Sequence, residues 1–513
     1  MSNTRTGTPN ALPVAPIFGV MIAGAFIAFL NQTLINIALP QMMDHLHITA
    51  TTGDWLTTIY MLVNGVVIPI TAFLMERFTT RQLYITSMSL FALGTLVCAI
   101  GPSFSVILVG RVIQAGGAGI LMPLLTNVIF TLFPPERRGG AMGILGIALN
   151  FAPAIGPTLS GWIVEHHSWR LLFFIILPIA IVDIIVSIFV LKNVTETKRP
   201  KLDSFGVALS TIGFGGILYG FSVAGSNGWG SIDVIVSFIV GGVSLIFFVW
   251  RQLVVDHPIL EFRIFRYPMF TLTTLINVIV TMALYAGMIL MPLYMQDVRG
   301  FSPLLSGLML LPGGVVMGVM SPITGKLYDR FGARWLAAFG LAVTAVTTYF
   351  LARLQMDTTY LHTTIIYTIR MFGMSILMMP IMTAGLNQLP LHLNRYGTAL
   401  LNTLRMVSGA VGMAFLVTLM SNRATVHIKD LMAQGHVSPA DKAKVALVTG
   451  QGTVMGINDA FLVATGFAVA AFILSLFIRR TTPMEDIITN RRKNKKQRDK
   501  AGSNRAGQLA LED

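Results

Sequence analysis

Apolar runs of roughly 18–25 residues recur from one end of the chain to the other, each long enough to cross a hydrocarbon core of about 30 Å as an α-helix. They fall near residues 16–38, 54–75, 82–101, 104–126, 139–163, 170–191, 204–224, 232–250, 270–293, 303–325, 335–352, 362–386, 397–421 and 458–479, which predicts fourteen spans. The first run, from about Pro16 to Leu39, is longer than a signal-peptide core and has no small-residue cleavage site after it, so it is expected to stay as a span. The pattern implies an all-α polytopic membrane protein.

Composition agrees. Hydrophobic residues make up 54% of 513 positions and charged residues 11%, where a soluble chain carries roughly a quarter. The net charge of +14 would suggest nucleic acid in a soluble protein, but much of it sits in Arg491-Arg492-Lys493-Asn494-Lys495-Lys496, just beyond the last apolar run. Basic residues there read first as anchors against anionic membrane lipid, so no nucleic-acid partner is expected. The single cysteine, Cys98, can form neither an internal disulfide nor a thiolate metal site. Scattered histidines give no support to a metal site, and no G-x-x-x-x-G-K-[ST] loop supports ATP-driven work. No catalytic residue and no cofactor is expected.

Lysine and arginine set the orientation. With the N-terminus inside, the inner connections carry Arg77 and Arg81; Arg137 and Arg138; Lys192, Lys198, Arg199 and Lys201; Arg251, Arg263 and Arg266; Lys326, Arg330 and Arg334; and Arg395. The interval from Pro40 to Gly53 on the other side has none. Both termini are therefore expected on the cytoplasmic face. Residues 422–457 are expected to form a long external loop, with a short surface helix beginning at Ser438-Pro439-Ala440-Asp441. The basic tail, 480–513, is expected to be disordered.

The chain also repeats itself. Ala72-Phe-Leu-Met-Glu76-Arg77-Phe-Thr79-Thr-Arg81 and Gly325-Lys-Leu-Tyr-Asp329-Arg330-Phe-Gly332-Ala-Arg334 share a small-x-Leu-x-acid-Arg-Phe pattern after two different spans. Arg138-Gly139-Gly140-Ala141 and Arg395-Tyr396-Gly397-Thr398-Ala399 open two others. The expected organisation is a cytoplasmic N-terminus (1–15), a six-helix half (16–191), two additional central spans (204–250), a second six-helix half (270–479) and the tail. Duplicated halves of this kind rock about a midplane site in secondary transporters. An acid and arginines at facing helix ends can pair across the halves, which makes Glu76, Arg77, Arg81, Asp329, Arg330 and Arg334 candidates for a gate.

Three further stretches stand out. Arg111-Val-Ile-Gln114-Ala-Gly-Gly-Ala-Gly119 places an arginine in an apolar helix, where it either faces the bundle interior or snorkels to the membrane edge. Ala152-Pro153-Ala154-Ile155-Gly156-Pro157-Thr158-Leu159-Ser160-Gly161 sets two prolines four apart among glycines, which bends a helix and permits close packing. The third, Leu30-Asn31-Gln32-Thr33-Leu34-Ile35-Asn36-Ile37-Ala38-Leu39-Pro40, sets polar side chains within the first span.

With these motifs in this order over nearly the whole chain, the sequence resembles the fourteen-span drug:proton antiporters of the major facilitator superfamily, most of all the lincomycin-resistance type of bacterial exporter. The resemblance implies proton-coupled efflux of lipophilic, often cationic, drugs across a bacterial cell membrane by a monomeric functional unit. It implies a proton-coupling role for Arg111 and makes Pro153, Gly156, Pro157 and Gly161 the antiporter signature. The first copy of the gate motif departs from the family, with Glu76 for Asp and Thr79 for Gly. Many relatives carry aspartate where this chain has Asn31, and an asparagine cannot carry the proton.

Asp183, midway through the sixth span, is the candidate in its place, because burial favours the neutral form of such an acid; a locally paired acid without a transport role is the alternative. Asp54 and Asp459 lie at external span ends. Gln32, Asn36, Trp55, Tyr60, Asn64, Asn127, Asn150, Tyr285, Tyr294 and Gln296 are the polar and aromatic candidates for a substrate cavity. In the methionine-rich twelfth span, Met374 and Met378 suit either a cavity for varied apolar ligands or ordinary packing. The alternatives on this scaffold are an exporter of an endogenous lipid or metabolite, an uptake symporter, and a non-transporting membrane sensor.

Overall fold

The computed structural model describes residues 14–194, 197, 202–256, 258–435 and 441–479. Among them are fourteen α-helices and no strands. The first half comprises α1 (Val14–Leu46), α2 (Ala50–Arg77), α3 (Thr80–Ile100), α4 (Phe104–Leu132), α5 (Arg138–His166) and α6 (Arg170–Val190). Between the halves lie α7 (Ser204–Asn227) and α8 (Ile232–Val254). The second half comprises α9 (Pro268–Leu293), α10 (Pro303–Phe331), α11 (Ala333–Leu351), α12 (Tyr360–Asn387), α13 (Asn394–Gln434) and α14 (Lys442–Ser475). Each predicted apolar run lies within one helix, apart from a residue or a few at some ends. Thirteen are, among the described residues, long and apolar enough to cross a membrane. The other, α5, has 29 residues, and at about 1.5 Å per residue it too is long enough.

Helix ends follow local chemistry. Thr79 accepts from the Gln82 N–H while Gln82 reaches back to the Thr79 N–H, and this capping box starts α3 two residues after α2 stops. Ser302 caps α10, with Pro303 in its first turn.

Inside each half, small residues bring helices to backbone contact. A Cβ on Gly94 of α3 would lie 2.4 Å from the Gln114 nitrogen of α4, and one on Gly117 would lie 2.2 Å from the Ser87 carbonyl. The second half repeats the device, with Gly340 of α11 set against the Gly373 carbonyl of α12. Helices α7 and α8 pack on each other at Gly216 and Gly241. They span the outside of α2 and α13: Leu218 fills the space beside Gly65, and Trp229 Nε1 donates to Thr418 Oγ1 at 2.7 Å. Their near ends are tied by Arg251 to Asp203 at 2.7 Å. Burial works against the Asp203 charge, yet hydrogen bonds from Arg251 and the Gly206 N–H hold its carboxyl below the usual carboxylate range.

One end of the bundle collects the chain's basic connections. Phe18 near the start of α1 packs edge-to-face on Phe133 just after α4, and the Arg479 N–H after α14 reaches Met269 at the start of α9. This basic end therefore carries both termini of the helical bundle.

The expected loop at 422–457 is corrected. Helix α13 runs on to Gln434 and α14 begins at Lys442, so most of that interval is a pair of packed helices. Hydropathy misses it because the segment is polar. Small residues explain it: Gly456 faces the Met420 carbonyl and Ala424, and Gly452 faces Ile428. Asp459 binds Arg423 and His427 across the pair, at 2.6 and 2.9 Å. Asp441 caps α14 by accepting from the Lys444 N–H; Ser438, Pro439 and Ala440 lie outside the described residues, as do 1–13, Lys198, Arg199, Lys201 and the tail from Arg480.

Candidate functional site

At the basic end the halves are joined by two contacts of one design. The α10 residue Asp329 accepts hydrogen bonds from the Gly139 and Gly140 N–H groups, both at 2.9 Å, in the first turn of α5. A carboxylate there meets unpaired N–H groups and the positive end of the helix dipole. The α2 residue Glu76 lies 3.2 Å from Arg395 at the start of α13 and accepts from the Tyr396 hydroxyl at 3.2 Å. Arg138 adds a bond to Asn387 Oδ1 at 3.1 Å. Beneath these contacts α5 and α10 meet backbone to backbone: a Cβ on Gly325 would lie 2.1 Å from the Gly139 carbonyl, and one on Gly143 would lie 2.5 Å from that of Ser321.

The two acids of the gate motif thus cross between halves, while its four arginines do not pair with them. Arg81 donates to the Ile188 carbonyl of α6, Arg330 and Arg334 lie over their neighbours Phe331 and Trp335, and Arg77 is exposed. Arg395 and the α5 N-terminus stand in their place.

Between the halves lies a cavity of about 1240 Å³, counting its open mouth, lined from α1, α2, α4, α5, α9, α12 and α13. Of the predicted cavity residues, Gln32, Tyr60, Asn64, Asn150, Tyr285 and Met378 line it. Asn127 is buried outside it, Met374 lies in the second half's apolar core, and Tyr294 donates to the Gln355 carbonyl at the end opposite the basic one. Gln296 stands in the π-helical turn after α9, and Trp55 packs on Tyr219 of α7. The Asn36 and Asp54 side chains lie outside the described residues.

Sequence reasoning missed Arg405, Asn402 and a wider methionine set, Met61, Met122, Met288 and Met406, drawn from four helices, while Met379 of the methionine-rich twelfth span also lines the cavity. Arg405 was findable: it is a cation inside an apolar run, one helical turn from Asn402.

Arg111 is fully buried behind the cavity wall. It donates to the Leu56 carbonyl, Asn31 Oδ1 and Gln114 Oε1 at 3.1, 3.2 and 2.6 Å, and its guanidinium lies 4.1 Å from the Tyr60 ring centroid. The second half holds a counterpart that the same reading of buried charge would have found. Arg370 of α12 is fully buried and donates to Thr348 Oγ1 and the Ala283 carbonyl.

Asp183 lies away from the cavity, in the seam of α1, α3 and α6. The Tyr84 hydroxyl is 2.8 Å from Asp183 Oδ2 and 3.0 Å from the Val20 carbonyl. It has one proton, so both contacts are hydrogen bonds together only when Asp183 is protonated and donates to Tyr84. Gly24 makes room for this hydroxyl, since a Cβ there would lie 2.0 Å from it.

In the signature segment, Gly156 packs α5 on Thr33 of α1, inside the first half, and Gly161 faces Leu304 of α10. Pro153 and Pro157 fall within α5, but their side chains lie outside the described residues. No group of three or more His, Cys, Asp or Glu able to hold a metal occurs among the described residues.

Comparison with known proteins places this architecture. The family model described as Major Facilitator Superfamily matches residues 21–413. The "Uncharacterized MFS-type transporter YhcA" of Bacillus subtilis (strain 168) is 49% identical over 499 residues, covering 92% of this chain and 94% of that protein. The lincomycin resistance protein LmrB of the same organism is 43% identical, covering 91% and 96%. Among solved structures, the human organic anion transporter MFSD10 (TETRAN) superposes with a TM-score of 0.64 at 12% identity, covering 91% of this chain and all of that one, a likeness of fold alone. The chain belongs to the major facilitator superfamily and is a membrane transporter, not an enzyme.

Proposed function

We propose that this protein exports lipophilic small molecules from the bacterial cell by proton-driven alternating access, each chain working as one unit. The observation that carries the reading is a central cavity between two halves whose basic ends are latched by Asp329 and Glu76. The basic end is taken as cytoplasmic from its arginines, so this is the conformation closed towards the cytoplasm. Release of the latches opens that side for substrate entering from the cytoplasm or inner leaflet. The names of the lincomycin resistance relatives fit a drug-sized substrate.

The coupling proton is assigned to Asp183. When Asp183 loses its proton, Tyr84 turns its own towards the carboxylate and the Val20 carbonyl loses a donor. Protonation therefore alters how α1 sits on α3 and α6, and α1 lines the cavity through Ala28, Phe29, Gln32 and Thr33. Coupling needs only that proton and substrate favour different states of the two halves. Arg111, held by neutral groups behind Tyr60, links α1, α2 and α4 across the same wall.

The test is accumulation of a lipophilic dye in everted membrane vesicles with an acid lumen. Gradient-dependent accumulation that a protonophore abolishes is expected. Accumulation indifferent to the gradient rejects proton coupling; dye movement in the opposite direction identifies an uptake symporter; no movement of any drug points to a dedicated endogenous substrate.

A further inference from the structure

We propose that the central cavity recognises amphipathic organic anions, with Arg405 pairing with a carboxylate or other oxyanion of the substrate while methionines and tyrosines hold its apolar body. Arg405 is the one Asp, Glu, Lys or Arg among the described residues lining the cavity. It is half-buried, and among the described residues no hydrogen bond or ion pair engages its guanidinium. A guanidinium stays charged in a protein interior, and a charge there without a partner is costly. An anion arriving from solvent supplies that partner with two parallel hydrogen bonds.

The surroundings carry the same sign. Arg111 lies directly behind Tyr60, a wall residue, and Arg370 lies against Gly287, beside Met288 of the wall. Both are bonded to carbonyls, amides or hydroxyls and not to carboxylates. The acids that might balance them are engaged elsewhere: Asp183 by Tyr84, Asp329 and Glu76 in the latches, Asp459 by Arg423 and His427. A cation entering this cavity meets a positive field and, among the described residues, no lining carboxylate, whereas an anion gains from both. The family resemblance alone favours cationic drugs, so the charge of the cavity points the other way.

The assignment rests on the export reading for the direction of movement, but binding tests it separately. A matched trio of fluorescent probes, one aromatic body bearing a carboxylate, its methyl ester or an amine, is titrated into the purified full chain by fluorescence polarisation. The carboxylate is expected to bind at least about tenfold more tightly than the ester, the gain of one charge-assisted contact. Arg405→Gln is expected to erase that preference, and Arg405→Lys to retain part of it. Tightest binding of the amine, or a carboxylate preference that survives Arg405→Gln, overturns the proposal. If Arg405→Gln does not fold, the wild-type order and Arg405→Lys decide. In everted vesicles, a carboxylate that binds but never moves overturns export and leaves the anion site standing. Transport of the amine in preference to the carboxylate does the reverse.

Discussion

At the end of α10 a carboxylate accepts two backbone N–H groups from the first turn of α5, and at the end of α2 another meets a guanidinium. Asp329→Asn keeps the shape but leaves one acceptor oxygen for two N–H groups, so one bond is lost and the other loses its charge, at an expected cost of about 1–3 kcal/mol to the state closed at the basic end. Nitroxide labels at the exposed positions Phe78 and Leu391, placed in a Cys98→Ala background, report the distance between the halves at that end. The variant should show a larger population of long distances than the wild type; an unchanged distribution removes Asp329 from the latch. The acids were legible from their place in a repeated motif, but their partners were not. A backbone N–H has no letter in the sequence, and Arg395 lies 319 positions from Glu76 along the chain. Gly24→Ala tests the Asp183 seam without touching a titratable group. Its added methyl should displace the Tyr84 hydroxyl and lower gradient-driven transport while leaving probe binding intact, and normal coupling in that variant would contradict the role given to Tyr84.

Helix α5 touches α10 through glycine along the half of its length nearest the basic end. Gly325→Ala sets a methyl against the Gly139 carbonyl, and the backbone has no rotamer with which to yield. Overpacking of this kind typically costs about 1–3 kcal/mol. If, as proposed, the contact parts when that end opens, the substitution should favour the open state, read as wider Phe78–Leu391 label distances with little loss of thermal stability. Distances like those of the wild type would show that α10 can shift without opening the basic end. Span number and span identity were legible because apolar length decides them. The helical extension through 422–457 was not, since a polar segment gives no hydropathy signal and its stabilisation comes from Gly452, Gly456 and Ala424 meeting a partner helix. The cavity was legible in part: Gln32, Tyr60, Asn64, Asn150, Tyr285 and Met378 line it, while Asn127, Tyr294 and Met374 turn to other partners. Polarity marks a residue as unusual in a span without saying which side of its helix faces the other half.

Across the whole molecule, the two halves meet at latches of matching design, line a shared cavity and each carry a fully buried arginine at comparable places in α4 and α12. The described mid-span acid, Asp183, sits in the first half alone and outside the cavity. If that acid carries the proton, proton and substrate act at separate places, and coupling passes through the shift of α1 rather than through competition for one site. Removing the acid should then uncouple transport without abolishing binding. The decisive measurement is a simultaneous record of dye movement and lumenal pH in proteoliposomes, comparing the wild type with Asp183→Asn. The account predicts that dye entering the lumen drives protons out in the wild type, and that Asp183→Asn binds dye with unchanged affinity but moves neither dye against a gradient nor protons with it. Dye-driven proton movement of wild-type size in Asp183→Asn would contradict it.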